Sequence, residues 1–172
     1  MSGYQGLREF EHGRMPRLGV VLVNLGTPES PTPGAVRRYL AEFLSDPRVV
    51  EIPRLVWKVI LHGIILRVRP KKSAHAYASV WTDQGSPLMA ISQALTQKVQ
   101  EQLVRSVPGP VSLELAMRYG EPAIGPVLRK LQEQGMERLL VLPLYPQYSG
   151  ATTGSVADAV FASLGRWRWV PE

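Results

Sequence analysis

The chain holds 172 residues, no cysteine and a formal charge of +6. That length suits one substantial hydrophobic core, and the missing thiols exclude a disulfide framework, a thiolate metal site and a cysteine-ligated iron–sulfur cluster. The charge is localised: residues 37–72 carry nine Lys or Arg against Glu42, Asp46 and Glu51, a surplus that suits nucleic acid, anionic headgroups or a carboxylate-bearing ligand without choosing among them.

Residues 1–17 show no sustained periodicity and are expected to be a mobile leader. They lack the apolar core of a secretory signal, which predicts a cytoplasmic protein. Leu18–Leu25, LGVVLVNL, is an apolar, β-branched run closed by Gly26, Thr27 and Pro28, the pattern of a buried strand feeding a loop. Ser30 or Thr32 then caps a helix with Pro33 in its first turn, on which Val36, Tyr39, Leu40, Phe43 and Leu44 recur at helical spacing. Neither GxGxxG nor GxxxxGK[ST] is present, so no nucleotide is inferred.

Ser45, Asp46 and Pro47 end that helix, and 48–52 is expected to be extended. Arg54–Arg69, RLVWKVILHGIILRVR, carries ten apolar residues broken by Lys58, His62 and Gly63. It is too short and too interrupted to span a membrane. An interfacial helix or a hydrophobic lip over a binding cleft fits it, and so does a core helix. Pro70 opens a further helical segment to about Trp81, and 82–87 is a loop. Ser86 is placed to cap a helix bearing Met89, Ile91, Leu95, Val99 and Leu103.

Val111–Met117 predicts a second strand, with Leu113, Leu115 and Met117 on one side. It ends in a loop, Arg118–Pro122, on the same rim as the first. Ile124, Val127, Leu128 and Leu131 mark a helix closed by Gly135. Leu139–Leu144 is expected to be a strand buried on both faces. Behind it, YPQYSGATTGS gathers hydroxyls, an amide and two aromatic rings just past a strand's carboxyl end, where open α/β sheets bind ligands. The competing reading is that these residues only turn the chain, with Ser155 as N-cap of a helix to Leu164. Trp167–Val170 predicts the start of another strand. Its tryptophans would be exposed unless more chain followed, so this is expected to be the front part of a longer protein.

His12, His62 and His75 do not fall at HxxxH spacing, and no serine sits in a GxSxG elbow. No catalytic residue and no metal ligand is therefore assigned in this chain. What is left is a polar rim behind each strand, a basic segment and an apolar lip. That combination suits a flat, apolar ligand with acidic tails, whose carboxylates Arg69, Lys71, Tyr77 and Ser86 are suited to meet.

The runs VVLVNLGTPESPTPGAVRRYLAEFLSDPRVVEIPRLVW, RPKKSAHAYASVWTDQGSPL, AMRYGEP and LPLYPQYSGATTGS closely resemble bacterial ferrochelatases, which insert Fe²⁺ into protoporphyrin IX to form protohaem in haem biosynthesis. The resemblance implies a chelatase-like α/β fold: a Rossmann-like three-layer α/β/α domain with a four-stranded parallel sheet. It makes 18–172 the amino-terminal half of a two-domain enzyme, with one wall of a porphyrin cleft and a lip facing the inner side of the membrane. It places Leu25 against the macrocycle, Arg69, Lys71, Tyr77 and Ser86 near the propionates, and Tyr145, Gln147, Tyr148, Ser149 and Thr152 along the cleft. Members with a [2Fe-2S] cluster carry a cysteine where Gly150 stands, so the chain resembles the cluster-free ones, with no tightly bound cofactor. The family's proton-accepting histidine and glutamate lie in the carboxy-terminal half, so this chain alone is expected to be inactive. A non-catalytic porphyrin- or haem-binding, membrane-associating module is the alternative. Nucleic-acid binding is disfavoured, because no aromatic residues interleave with the basic ones in a binding motif.

Overall fold

A computed structural model describes residue 13 and residues 15–172. Most of the expected leader, with His12, lies outside these residues, and Arg17 is already in a strand. Strands β1 (Arg17–Gly26), β2 (Val111–Tyr119) and β3 (Met136–Pro143) form a parallel sheet in the order β2-β1-β3. The central position of β1 explains its uninterrupted apolar run: Val20, Val21, Leu22 and Val23 are all buried, and a strand covered on both faces has no use for alternation.

Helix α1 (Pro33–Ser45) begins as its sequence predicts, with the Thr32 hydroxyl accepting from the Ala35 N–H at 3.4 Å and Pro33 in the first turn. The segment 48–52 is a turn and irregular chain rather than extended, because the Asp46 carbonyl accepts from both Val49 and Val50 and curls the backbone. α2 (Arg54–Ile60) runs through a π-turn (Leu61–Ile65) into α3 (Leu66–Val80). The break expected at Pro70 does not occur. The helix continues through the π-turn, where the Leu66 N–H donates to Leu61 O, and Pro70 lies buried inside α3, its missing N–H taking from the Leu66 carbonyl only the one helical donor. Then follow α4 (Pro87–Ser106), with Ser86 at its N-cap position, α5 (Ile124–Glu133) and α6 (Ser155–Leu164). Gly135, at φ +79°, turns the chain out of α5, the conformation that favours glycine there.

Both faces of the sheet are covered. On one, Val21, Val23 and Ala116 pack against Val127, Leu128 and Leu131 of α5 and Val156 and Val160 of α6. On the other, Val20, Leu22, Leu113, Leu115 and Met117 meet Met89, Val99 and Leu103 of α4. The β1-to-β2 connection crosses one face and the β2-to-β3 connection the other, which makes the sheet doubly wound.

Three further expectations, all about the sheet, need correction. The described sheet has three strands rather than four. Trp167–Val170 is not a strand: Trp167 makes a single bridge and is buried in the α5/α6 core, and 168–170 are bends and irregular chain. Glu172 reaches β3: its N–H donates to Glu137 O at 3.0 Å and its carbonyl accepts from Leu139 N at 2.8 Å, bracketing Arg138 as a parallel ladder does. Nor is β3 buried on both faces. Leu140 and Leu142 are 51% and 49% exposed, since the contacts of α4 run to β1 and β2.

Candidate functional site

The carboxyl ends of the strands, with the loops that leave them, build one rim. β1 and β2 close together there: Gly26 has φ +107°, and a Cβ on it would lie 1.8 Å from the Tyr119 carbonyl oxygen, so only glycine fits. Behind this contact is an aromatic cluster. The Tyr39 hydroxyl donates to Gly26 O at 3.3 Å, Tyr39 meets Tyr77 edge-on at 6.4 Å, Tyr77 meets Trp81 at 6.5 Å, and Phe43 meets Tyr119 at 5.1 Å. Leu25 and Tyr77 pack against the same cluster, together with Trp57. Burial pushes the Tyr39, Tyr77 and Tyr145 phenols above the ordinary range and Tyr119 up to about 12. At neutral pH all four are uncharged hydrogen-bond donors.

Beneath the rim is a charged network that sequence reasoning missed. Asp46 Oδ2 accepts from Ser155 Oγ at 2.5 Å, Arg118 Nη2 at 2.6 Å and Tyr119 Oη at 2.8 Å, while Oδ1 accepts from the Arg48 N–H at 2.7 Å. Arg118 Nε also donates to Ser155 Oγ at 2.6 Å and Ser155 O at 2.9 Å, and its guanidinium lies 4.5 Å from the Tyr119 ring centre. Burial pushes the Asp46 carboxyl upward. The hydrogen bonds from Ser155, the Arg48 backbone and Tyr119, with the Arg118 charge, outweigh that and hold it below the ordinary carboxylate range. The network joins the end of α1, the end of β2 and the start of α6. Just outside it, Arg48 and Asp158 pair bidentately at 2.5 and 2.9 Å.

Ser155 is therefore not the N-cap of α6. The helix follows directly from a π-turn over Gly150–Gly154, with Gly154 at the cap position and Ser155 fully buried. The capping is done upstream, where the Ser149 and Thr152 hydroxyls lie 2.7 Å apart and the Ser149 N–H donates to Thr152 Oγ1 at 3.1 Å.

The predicted site residues thus fall into groups. Leu25 and Tyr77 are half-buried in the aromatic cluster. Arg69 and Lys71 are exposed on α3, the helix that carries Tyr77, and Ser86 is buried. Tyr145 is half-buried against the α5/α6 core, with its hydroxyl buried and without a hydrogen-bond partner. Gln147, Tyr148 and Ser149 are exposed in the loop, and Thr152 is half-exposed. A separate recess of about 220 Å³, lined by Thr27, Glu29, Arg38, Tyr39, Glu42 and Glu121 among others, contains none of them.

The stretch 54–69 combines both sequence readings. Leu61 and Leu66 are buried under α1, and the Trp57 indole donates to Leu44 O at 2.6 Å. On the outer side Leu55, Val56, Val59, Ile64 and Val68 are exposed, the first by 83%. No helix among the described residues is long and apolar enough to cross a membrane. His62 and His75 are exposed, and no group of three or more His, Asp or Glu among the described residues is placed to hold a metal ion.

The fold is a doubly wound parallel α/β domain, a class in which ligands bind at the carboxyl edge of the sheet, and polar and aromatic residues of this chain collect at that edge. The ferrochelatase family model matches residues 17–172. The chain is 56% identical over 168 residues to a ferrochelatase of Thioalkalivibrio sulfidiphilus, covering 98% of this chain and 46% of the relative. It is 56% identical over 160 residues to ferrochelatase 2 of Shewanella oneidensis, covering 93% and 49%. To a ferrochelatase of Idiomarina loihiensis it is 51% identical over 169 residues, covering 98% and 46%. The chain belongs to the ferrochelatase family, and it spans about half the length of the curated relatives it matches.

Proposed function

We propose that this chain forms the amino-terminal wall of a porphyrin cleft in a ferrochelatase, the enzyme that inserts Fe²⁺ into protoporphyrin IX. The observation that carries this reading is the rim itself: in a chain of this family, half-buried Leu25 and Tyr145 stand just at the ends of β1 and β3, and Leu25 shares its aromatic cluster with Tyr77 of α3, the helix that exposes Arg69 and Lys71. A porphyrin is a flat apolar plate with acidic tails. Leu25 and the aromatic cluster offer it an apolar face, and Arg69 and Lys71 offer charge-assisted bonds to its propionates. Tyr77 and Ser86 belong to the same wall, and Gln147, Tyr148, Ser149 and Thr152 to its upper loop. The buried, unpartnered Tyr145 hydroxyl supports a donor held for a ligand that reorders the loop.

Removal of the pyrrole protons needs a base within hydrogen-bond reach of the bound macrocycle. None is assigned here, and the family's histidine and glutamate are attributed to the remaining half of the enzyme, which would also complete the four-stranded sheet. A chain without a single cysteine supplies no ligand for a [2Fe-2S] cluster, so the cluster-free type is proposed. The exposed apolar side chains of α2 and α3, with basic residues between them, support peripheral contact with an anionic membrane surface.

The test is an anaerobic titration of the 172-residue chain with protoporphyrin, then Fe²⁺ or Zn²⁺, followed by absorbance. Saturable porphyrin binding without metal insertion is expected. Insertion at an enzymatic rate would place the base in this chain, and absence of binding would remove the half-cleft.

A further inference from the structure

The backbone gives Gly154 no reason to be glycine. At φ −62° and ψ −42° it is ordinary right-handed helix between the π-turn and α6, where alanine is favoured over glycine by roughly fivefold. What stands beside it is Arg48. A Cβ on Gly154 would lie 3.2 Å from Arg48 Nη1 and 3.4 Å from its Cδ and Cζ, inside the ordinary contact distance. Nor is that side chain free to step aside. Its Nε and Nη2 donate to the two oxygens of Asp158 in the first turn of α6 at 2.5 and 2.9 Å, and its backbone N–H donates to Asp46 Oδ1 at 2.7 Å. Arg48 therefore lies across the π-turn as a strap, from the turn after α1 to the start of α6. The pair is half-exposed, but a bidentate fork is the geometry in which such pairs count.

We propose that Arg48 is a positioning residue for the loop 145–152: its side chain straps down the π-turn, Gly154 is glycine to leave room for it, and the strap fixes how the loop is presented to a porphyrin. This rests on the reading of 145–152 as part of the porphyrin wall. The turn is the stem of that loop, with Ser149 at its cap and Thr152 within it. Ser155 fastens the end of the turn through Asp46 and Arg118. Arg48 acts one residue earlier, on the part of the turn that those bonds do not reach.

Arg48→Ala, Arg48→Lys, Gly154→Ala and the double variant Arg48→Ala/Gly154→Ala are compared in the 172-residue chain by thermal unfolding, amide hydrogen exchange and protoporphyrin titration. The probes of the turn are the Thr152 and Gly154 N–H groups, which donate to Ser149 O. Arg48→Ala should speed their exchange about three- to fivefold, the upper range for an exposed pair, with 118–119 unchanged, and should weaken porphyrin binding by a similar factor. Arg48→Lys keeps the charge but loses the fork, so it should recover part of both. Gly154→Ala should loosen the turn in the wild-type background and tighten it once Arg48 is Ala, a reversal of sign that requires contact between the two positions. The same effect of Gly154→Ala in both backgrounds, or unchanged exchange in Arg48→Ala, overturns the strap. Faster exchange with unchanged porphyrin affinity overturns the positioning role and leaves an ion pair that only holds the fold. A wild-type chain that binds no porphyrin removes the functional reading and the positioning role with it, while exchange and the sign reversal still decide whether the strap exists.

Discussion

Loss of the Asp46 side chain should cost this fold several of its buried polar contacts at once. Its carboxylate is almost wholly buried and is the acceptor for Ser155, Arg118 and Tyr119 at once, with the Arg48 N–H on its other oxygen. Asp46→Ala leaves a largely buried guanidinium without its counter-charge and a fully buried phenol with fewer partners. Breaking a buried pair from one side costs about 3–5 kcal/mol, which for a chain of this size lowers Tm on the order of 10 °C. Asp46→Asn keeps shape and one acceptor oxygen and should cost less, about 1.5–3 kcal/mol. The pH dependence has a defined sign. The native carboxyl lies below its ordinary value, so its stabilisation is present above the unfolded value of roughly 4 and is lost as pH falls through the lower native value. Urea unfolding followed by circular dichroism between neutral pH and pH 3 checks both effects. Wild-type stability should fall at the acid end, and the Asn variant should lose part of that slope. A loss below about 1 kcal/mol for Asp46→Ala would show that the network is relaxed by water and would refute this account.

Gly26→Ala should cost at least about 3 kcal/mol or prevent folding, because its Cβ meets the Tyr119 carbonyl and neither strand end has room to give; soluble yield and Tm measure it, and a near-native Tm would mean that the two strand ends part freely. Tyr145→Phe removes a buried hydroxyl with no partner, so stability should stay within about 1 kcal/mol of wild type or rise, while porphyrin affinity falls; a clear loss of stability would reveal a hidden partner instead. Leu55→Ser combined with Val59→Ser should leave Tm unchanged, since both side chains are already exposed. Liposome sedimentation should show at least tenfold weaker binding to anionic vesicles, half of the roughly 3–6 kcal/mol that full burial of both side chains is worth. Unchanged partitioning would remove the membrane-facing lip.

What was legible in the sequence was what depends on neighbours along the chain. The run LGVVLVNL, the Thr32–Pro33 start of α1 and Gly135 after α5 each carry their own local physics, and each stands where expected. What was not legible depends on which element lies above which. LLVLPL at 139–144 has the same apolar density as β1, yet half of it is uncovered because α4 lies over β1 and β2. Pro70 looked like a boundary because the π-turn before it, which already breaks the α-helical bond pattern, leaves no signature in residue type. Leu61 and Leu66 could not be told from Leu55 and Val59 until α1 covered one side of the segment.

The Asp46 network shows the same limit at the candidate site. Ser45, Asp46 and Pro47 end a helix, Arg118 ends a strand, and Ser155 resembles a helix cap, so each had a sufficient local explanation. Their joint role appears only when residues 46, 118 and 155 meet. That meeting has a functional consequence. Tyr119 and Arg118 are fixed at the foot of the rim by atoms within this chain, so this part of the wall is rigid before any ligand or second half arrives. The upper loop, with exposed Gln147 and Tyr148, carries no comparable restraint. Ligand binding should therefore order 147–148, ahead of the Ser149–Thr152 capping arrangement, while leaving 118–119 unchanged, a difference that amide hydrogen exchange with and without porphyrin would resolve.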